Sequence, residues 1–265
     1  MLIPREHGAW GMLLVPLATG AVVASHSRFN AGGLALFVIA TLALFWLRTP
    51  VEAWLGLSPI KAKTKEEQAS VLRLIVLLCA IAVVSLAVLF VTGYGRGLVV
   101  IGTVAALAFG AQEIVKKLGR SGRMPAQIIG AIGLTSTAAG AYYVASGRLD
   151  ATAIALWMAN WLFAADQIHF VQTRIRGGRL NTWREKLGRG KWFASAQLVL
   201  LALLAMATVY RLVPAWTLIA FLPALARGAA WFFRPTQPLD VHKLGFSELA
   251  QAVIFGALLS VAFLA

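Results

Sequence analysis

The sequence predicts an all-α integral membrane protein, a single domain over residues 1–265 with nine transmembrane helices. Three observations carry that expectation. Apolar residues make up 60% of the chain and charged residues 13%, where an ordinary soluble domain has about 45–50% and about 25%. Nine apolar stretches each come near the roughly 20 residues that cross a hydrocarbon layer of about 30 Å. The Lys and Arg residues behind the formal net charge of +14 gather on one side of that arrangement. So few charges cannot clothe a soluble surface, which excludes a disordered tail and a secreted scaffold. Cys79 is the single cysteine and sits in an apolar run, so neither a disulfide framework nor a Cys-pair metal site is available.

The stretches run over residues 8–26, 31–48, 70–93, 97–115, 125–147, 150–172, 191–212, 214–233 and 245–265. Between them fall Arg28-Phe29-Asn30, the 49–69 segment, Gly93–Gly97, Gly119–Arg123, Gly147–Asp150, Gly177–Gly190, Val213-Pro214 and Pro235–Lys243. Short connections alternate with long basic ones. Every Lys and Arg except Arg28, Arg96, Arg148 and Arg211 falls on the side of the N-terminus and the long connections. Loops rich in Lys and Arg stay in the cytoplasm, so the N-terminus is expected inside and the C-terminus outside. The same asymmetry accounts for the net charge and removes the case for a nucleic-acid partner. The first stretch is longer than a signal-peptide apolar region of about 7–15 residues and is followed by more spans, so it reads as a retained helix.

Ionisable residues inside a membrane mark function by default. His7, Arg48, Glu52, Glu113, Asp166, His169, Arg174, Arg176, His242 and Glu248 all fall at inner helix ends, while His26 and Asp150 fall at outer ends. A chemical site is therefore expected to open to the cytoplasm. The sixth span is the richest. Asp166, His169, Thr173 and Arg176 share one helical face, and Asn160, Gln167 and Arg174 form a second stripe. These are read either as lining a cavity or as polar glue between helices. In the first span, Pro4 suits a first helical position and Trp10 an interfacial anchor, with Glu6 and His7 at headgroup depth. Glu113 with Lys116 and Lys117 has the spacing of a surface ion pair. Glu248, after Ser247, is expected to cap the last helix, where a negative charge suits the helix dipole. Gly133, Thr137 and Ala141, with Ser136 and Gly140, have the four-residue spacing of close helix packing. HExxH, GxxxxGK[ST] and GxSxG are absent. A zinc site from His7, His169 and His242, or haem ligation by two of them, has only this meagre histidine set to draw on. No cofactor is predicted from the residues themselves.

PREHGAWGMLLVP at the N-terminus, KKLGRSGRMPAQIIGAIGLTSTAAG over 116–140 and the closing HKLGFSELAQAVIFGALL resemble the bacterial YwiC-like membrane proteins, nearly end to end. That implies a multi-pass protein of the bacterial cytoplasmic membrane. A more distant resemblance is to the UbiA superfamily of intramembrane prenyltransferases. It rests on Ser58-Pro59-Ile60-Lys61 through Lys65-Glu66-Glu67-Gln68-Ala69, similar to that superfamily's RPLxSGxxSxxEA stretch, and on Val171 through Leu187-Gly188, similar to its helix-six motif and TLxxxLG loop. It implies a UbiA-like bundle of nine helices, an isoprenoid substrate and Mg²⁺, with Lys116 and Lys117 near the diphosphate. The chain departs from that pattern. Arg48-Thr49-Pro50-Val51-Glu52 replaces the NDxxDxxxD motif, and Arg174, Arg176 and Arg179 stand where aspartates are expected.

Arginines bind phosphate directly through paired hydrogen bonds. The combined expectation is a cytoplasm-facing polar cavity for a membrane lipid or isoprenoid ligand with an anionic head. Arg48, Lys116, Lys117, Arg174 and Arg176 would hold the head. Asp166, His169, His7 and Glu52 would orient it or move protons, His being the natural acid–base group near neutral pH. A divergent transferase, a transporter or permease-like carrier, and a non-catalytic assembly partner of a membrane complex remain as alternatives.

Overall fold

The computed structural model describes residues 7–26, 29–55, 64–119, 121–177, 180, 182–234 and 240–265. The described residues form ten α-helices: α1 (His7–Ala24), α2 (Ala31–Trp54), α3 (Lys65–Leu89), α4 (Gly95–Lys116), α5 (Arg123–Thr135), α6 (Thr137–Ser146), α7 (Ala151–Arg176), α8 (Trp183–Val209), α9 (Thr217–Phe233) and α10 (Val241–Leu264). Five helical stretches, Ala31–Trp54, Lys65–Lys116, Arg123–Ser146, Trp183–Val209 and His242–Leu264, are long and apolar enough to cross a membrane, and α1 and α9 are shorter apolar helices. Together they make a multi-pass membrane bundle.

The helices begin and end where their chemistry directs, which is not always where the apolar runs do. Thr64 caps α3 and Thr182 caps α8, each in a reciprocal pair with the glutamate three residues on, Glu67 and Glu185. Both helices therefore start well before their apolar segments, inside connections that hydropathy alone reads as loop. In the same way α2 continues through Pro50 to Trp54. The last helix corrects a sequence expectation. Asp240 caps α10, accepting from the backbone N–H groups of His242 and Lys243, so Glu248 lies two turns into the helix rather than at its start.

α1, α6 and α7 form the centre. Gly20 of α1 sits against the backbone of Ala138 on α6, and a Cβ there would collide with the Ala138 carbonyl. The Thr137 hydroxyl donates to the Leu13 carbonyl at 3.1 Å, and Gly140 lies under the Phe37 ring. The small residues at four-residue spacing thus serve close helix packing as expected. Pro16 removes a backbone donor from α1. The Pro16 carbonyl accepts from Thr19, whose hydroxyl accepts from the buried Asn160 of α7. Around this centre Phe163 stacks on Phe255 with ring centroids 3.9 Å apart.

At the end opposite the basic connections, Asn30 ties three elements together. It caps α2, its backbone N–H donates to Ala145 of α6, and its amide donates to the Tyr94 hydroxyl. Tyr94 closes a π-helical turn (Phe90–Tyr94) in which Gly93, at φ 99°, turns the chain from α3 into α4; that left-handed conformation favours glycine. Asp150 caps α7 at the same end. α3 and α8 leave most of their apolar surface uncovered by protein, as lipid-facing helices do.

Candidate functional site

At the basic end, the start of α1, the end of α2, the ends of α4 and α7 and the starts of α5 and α10 surround a cavity of about 510 Å³. Its walls are largely apolar, with Met12, Phe109, Leu134, Ile168, Val171 and Leu249 among them. Six polar side chains face it: Arg48, Gln112, Gln127, Gln167, Gln172 and Glu248. Gln112, Gln167 and Glu248 are buried, while Arg48 and Gln127 are exposed. The polar lining thus has a buried floor and an exposed mouth.

Each floor group is fixed by a neighbour. Gly130 leaves space on α5 that the Gln112 amide occupies, since a Cβ at Gly130 would collide with it. Gln167 donates to the Glu248 backbone carbonyl at 2.8 Å, joining α7 to α10. The Glu248 carboxylate accepts from Arg227 of α9. At the mouth, Arg48 Nε is 2.8 Å from Glu52, and Gln172 donates to Gln127 at 3.3 Å.

Arg227 is the hub of a second polar cluster on the far side of α7. Besides Glu248 it faces Asp166, Nη2 to Oδ2 at 3.7 Å, and its guanidinium lies 4.0 Å from the Phe170 ring centroid. Gln197 of α8 donates to Asp166, reaching it over Gly228, where any side chain would meet its amide. One cation therefore joins α7, α9 and α10, and Asp166 extends the join to α8. A buried charge pair of this kind is held by its geometry and its extra hydrogen bonds.

The expected site residues divide accordingly. Arg48 lines the cavity and Glu52 holds it. Asp166 is enclosed by Gln197 and Arg227, and His169 packs edge-on to Phe193 at 5.3 Å; neither lines the cavity. Lys116 pairs with Glu113 on the surface, as its spacing suggested, and Lys117 and Arg176 are exposed. Arg174 is half-buried and does not line the cavity. Nothing is described of the His7 side chain, and residues 1–6, 56–63, 178–179 and 181 lie outside the described residues. These include Glu6, Arg179 and most of the Ser58–Lys65 stretch. The two stripes on α7 face different partners: Asp166 and His169 face α8 and α9, while Asn160 and Gln167 face α1 and α10.

Arg227, Gln197, Gln112 and Lys186 had not been singled out from sequence. Lys186 is buried and donates to the carbonyls of Trp231 at 3.1 Å and Arg234 at 2.5 Å, at the end of α9. For Arg227, Gln197 and Gln112 an ionisable residue or amide inside an apolar run is itself the signal, whereas Lys186 lies in the polar Arg184–Lys191 stretch and carries no such mark.

Mg²⁺ held through paired carboxylates does not fit the described residues. Glu52 is committed to Arg48, Asp166 and Glu248 share Arg227, and no three His, Cys, Asp or Glu side chains converge among the described residues.

A family model described as YwiC-like protein matches residues 3–143. The chain belongs to the YwiC-like family. The matched region takes in α1 through most of α6, and with them Arg48, Gln112, Gly130 and the α1–α6 packing; it stops short of the closing HKLGFSELAQAVIFGALL segment that carried part of the sequence resemblance. No curated protein and no solved structure matches the chain.

Proposed function

We propose that this YwiC-like protein holds an amphipathic ligand, a membrane lipid or isoprenoid with an anionic head, in the cavity at its basic end. The reading places the N-terminus in the cytoplasm and the protein, with nine spans, in the bacterial cytoplasmic membrane. The observation that carries it is the cavity itself. Its volume of about 510 Å³ lies within the roughly 300–1,000 Å³ of small-molecule sites, and it has their composition of apolar walls with a few placed polar groups. The tail lies against Met12, Leu134, Val171 and Leu249. The head lies toward Arg48, whose planar guanidinium suits an anionic oxygen pair. Lys116, Lys117, Arg174 and Arg176 act at longer range, as the positive field of the basic end. A transfer reaction is a further step of the same reading, and it requires a proton-moving group on the cavity wall.

The test is mass spectrometry of lipids retained after mild detergent extraction, comparing the native protein with Ala131→Trp, which fills the cavity. A discrete amphiphile retained by the native protein and lost from Ala131→Trp is expected. The same lipid pattern in both would overturn the reading. Incubation with radiolabelled prenyl diphosphates tests the transfer step separately.

A further inference from the structure

The cavity floor carries hydrogen-bonding capacity that the protein does not use. Gln112 is more than nine-tenths buried, lines the cavity, and makes no hydrogen bond among the described residues. Gln167 uses its amide nitrogen on the Glu248 carbonyl, and its Oε1 takes no donor among the described residues. Glu248 accepts from Arg227 through Oε2, and its Oε1 is enclosed by protein, so it offers the cavity no open acceptor. Buried polar residues in folded proteins are nearly always satisfied, so the Gln112 amide and the Gln167 oxygen, which line one wall of the cavity, point to something that occupies the site.

Their chemistry specifies what it is. The Gln167 oxygen only accepts, and the Gln112 amide both donates and accepts. A bare phosphate offers acceptor oxygens to a wall whose Gln167 oxygen needs a donor. An ammonium head would enter beside Arg227, which already neutralises Glu248. Hydroxyl groups donate and accept without adding charge. Building on the amphiphile reading above, we infer that the ligand's head carries hydroxyls beside its anionic group, the anion toward Arg48 and the hydroxyls on Gln112 and Gln167. A phosphoglycerol headgroup is the simplest membrane component with that chemistry.

The experiment measures lipid binding by native mass spectrometry of the full chain in nanodiscs, with four probes: phosphatidylglycerol, its glycerol O-methylated analogue, phosphatidylethanolamine and phosphatidylcholine. Phosphatidylglycerol is expected to bind about tenfold or more tightly than the O-methylated analogue, since a site built to hydrogen-bond hydroxyls rejects a ligand lacking them. Gln112→Met, close in volume, is expected to reduce that preference to about twofold or less. Equal binding of the two glycerol lipids, or a preference for phosphatidylethanolamine, overturns this inference and leaves the amphiphile reading standing. Failure of every probe to protect a cysteine placed at Leu134 from modification overturns both. The comparison among lipids on the native chain holds whether or not Gln112→Met folds.

Discussion

The Gln197 amide of α8 donates to the Asp166 carboxylate of α7 through a gap that exists only because residue 228 of α9 is glycine. Three helices thus meet at one hydrogen bond, and the missing side chain matters as much as the two that touch. Gly228→Leu is expected to displace Gln197 and lower stability by about 1–3 kcal/mol. Thermal unfolding in detergent measures this. Gln197→Leu combined with Gly228→Leu should cost less than the sum of the single changes, because both remove the same contact. Full additivity would separate the two.

Arg227 neutralises two buried carboxylates. Replacing it with methionine leaves both without a cation, and breaking buried pairs in this way costs about 3–5 kcal/mol. Arg227→Met is therefore expected to be the most damaging single change in α9. Adding Asp166→Asn and Glu248→Gln should recover a substantial part of the loss. Measured folding yields that show no recovery would contradict the pairing.

Lys186 closes the last turn of α9 with a side chain from α8. Lys186→Met keeps the stem and removes the donor, leaving the Trp231 and Arg234 carbonyls unserved at an expected loss of about 1–3 kcal/mol. Hydrogen exchange should accelerate at the end of α9 before it changes in α1 or α6.

The α1–α6 contact predicts a contrast between two glycines of one helix. A Cβ at Gly20 meets the Ala138 backbone, whereas a Cβ at Gly8 meets nothing within 4 Å. Gly20→Ala is expected to lower the unfolding temperature clearly, with a penalty of about 1–3 kcal/mol. Gly8→Ala should leave it unchanged or slightly raised, alanine being the better helix former.

Orientation has a direct test. In a Cys79→Ala background, Arg96→Cys is expected to react with a membrane-impermeant maleimide in intact cells, and Lys117→Cys only after permeabilisation. The reverse pattern would invert the protein.

Helix class, the connections near Gly93 and Gly147, and the small-residue packing of α5 and α6 were legible in the sequence because each depends on local chemistry. Helix lengths were less so. The capping pairs at Thr64 and Thr182 extend α3 and α8 into polar sequence that a hydropathy reading counts as loop. The candidate site was legible in part: Arg48 lines the cavity, and α7 is the helix with polar groups on two faces. Which of its faces meets which partner was not legible, because that depends on how α7 is rotated against α1, α8 and α10. Asp166 therefore lies at a helix junction while its neighbour Gln167 faces the cavity. Glu248 read as a cap because Ser247 precedes it; only the start of α10 at Val241 shows that it lies further in.

α8 has 27 residues, a rod of roughly 40 Å at about 1.5 Å per residue, whose polar start through Lys191 extends beyond the apolar segment matched to the roughly 30 Å hydrocarbon layer. Trp183 and Trp192 stand exposed on its first turns, and Lys186 and Gln197 pin it to its neighbours at two heights. An apolar segment matched to the layer answers a thinner bilayer by leaning over. Leaning about those two pins pulls on the bond between Gln197 and Asp166, so the thickness of the surrounding lipid is mechanically connected to the junction at Arg227.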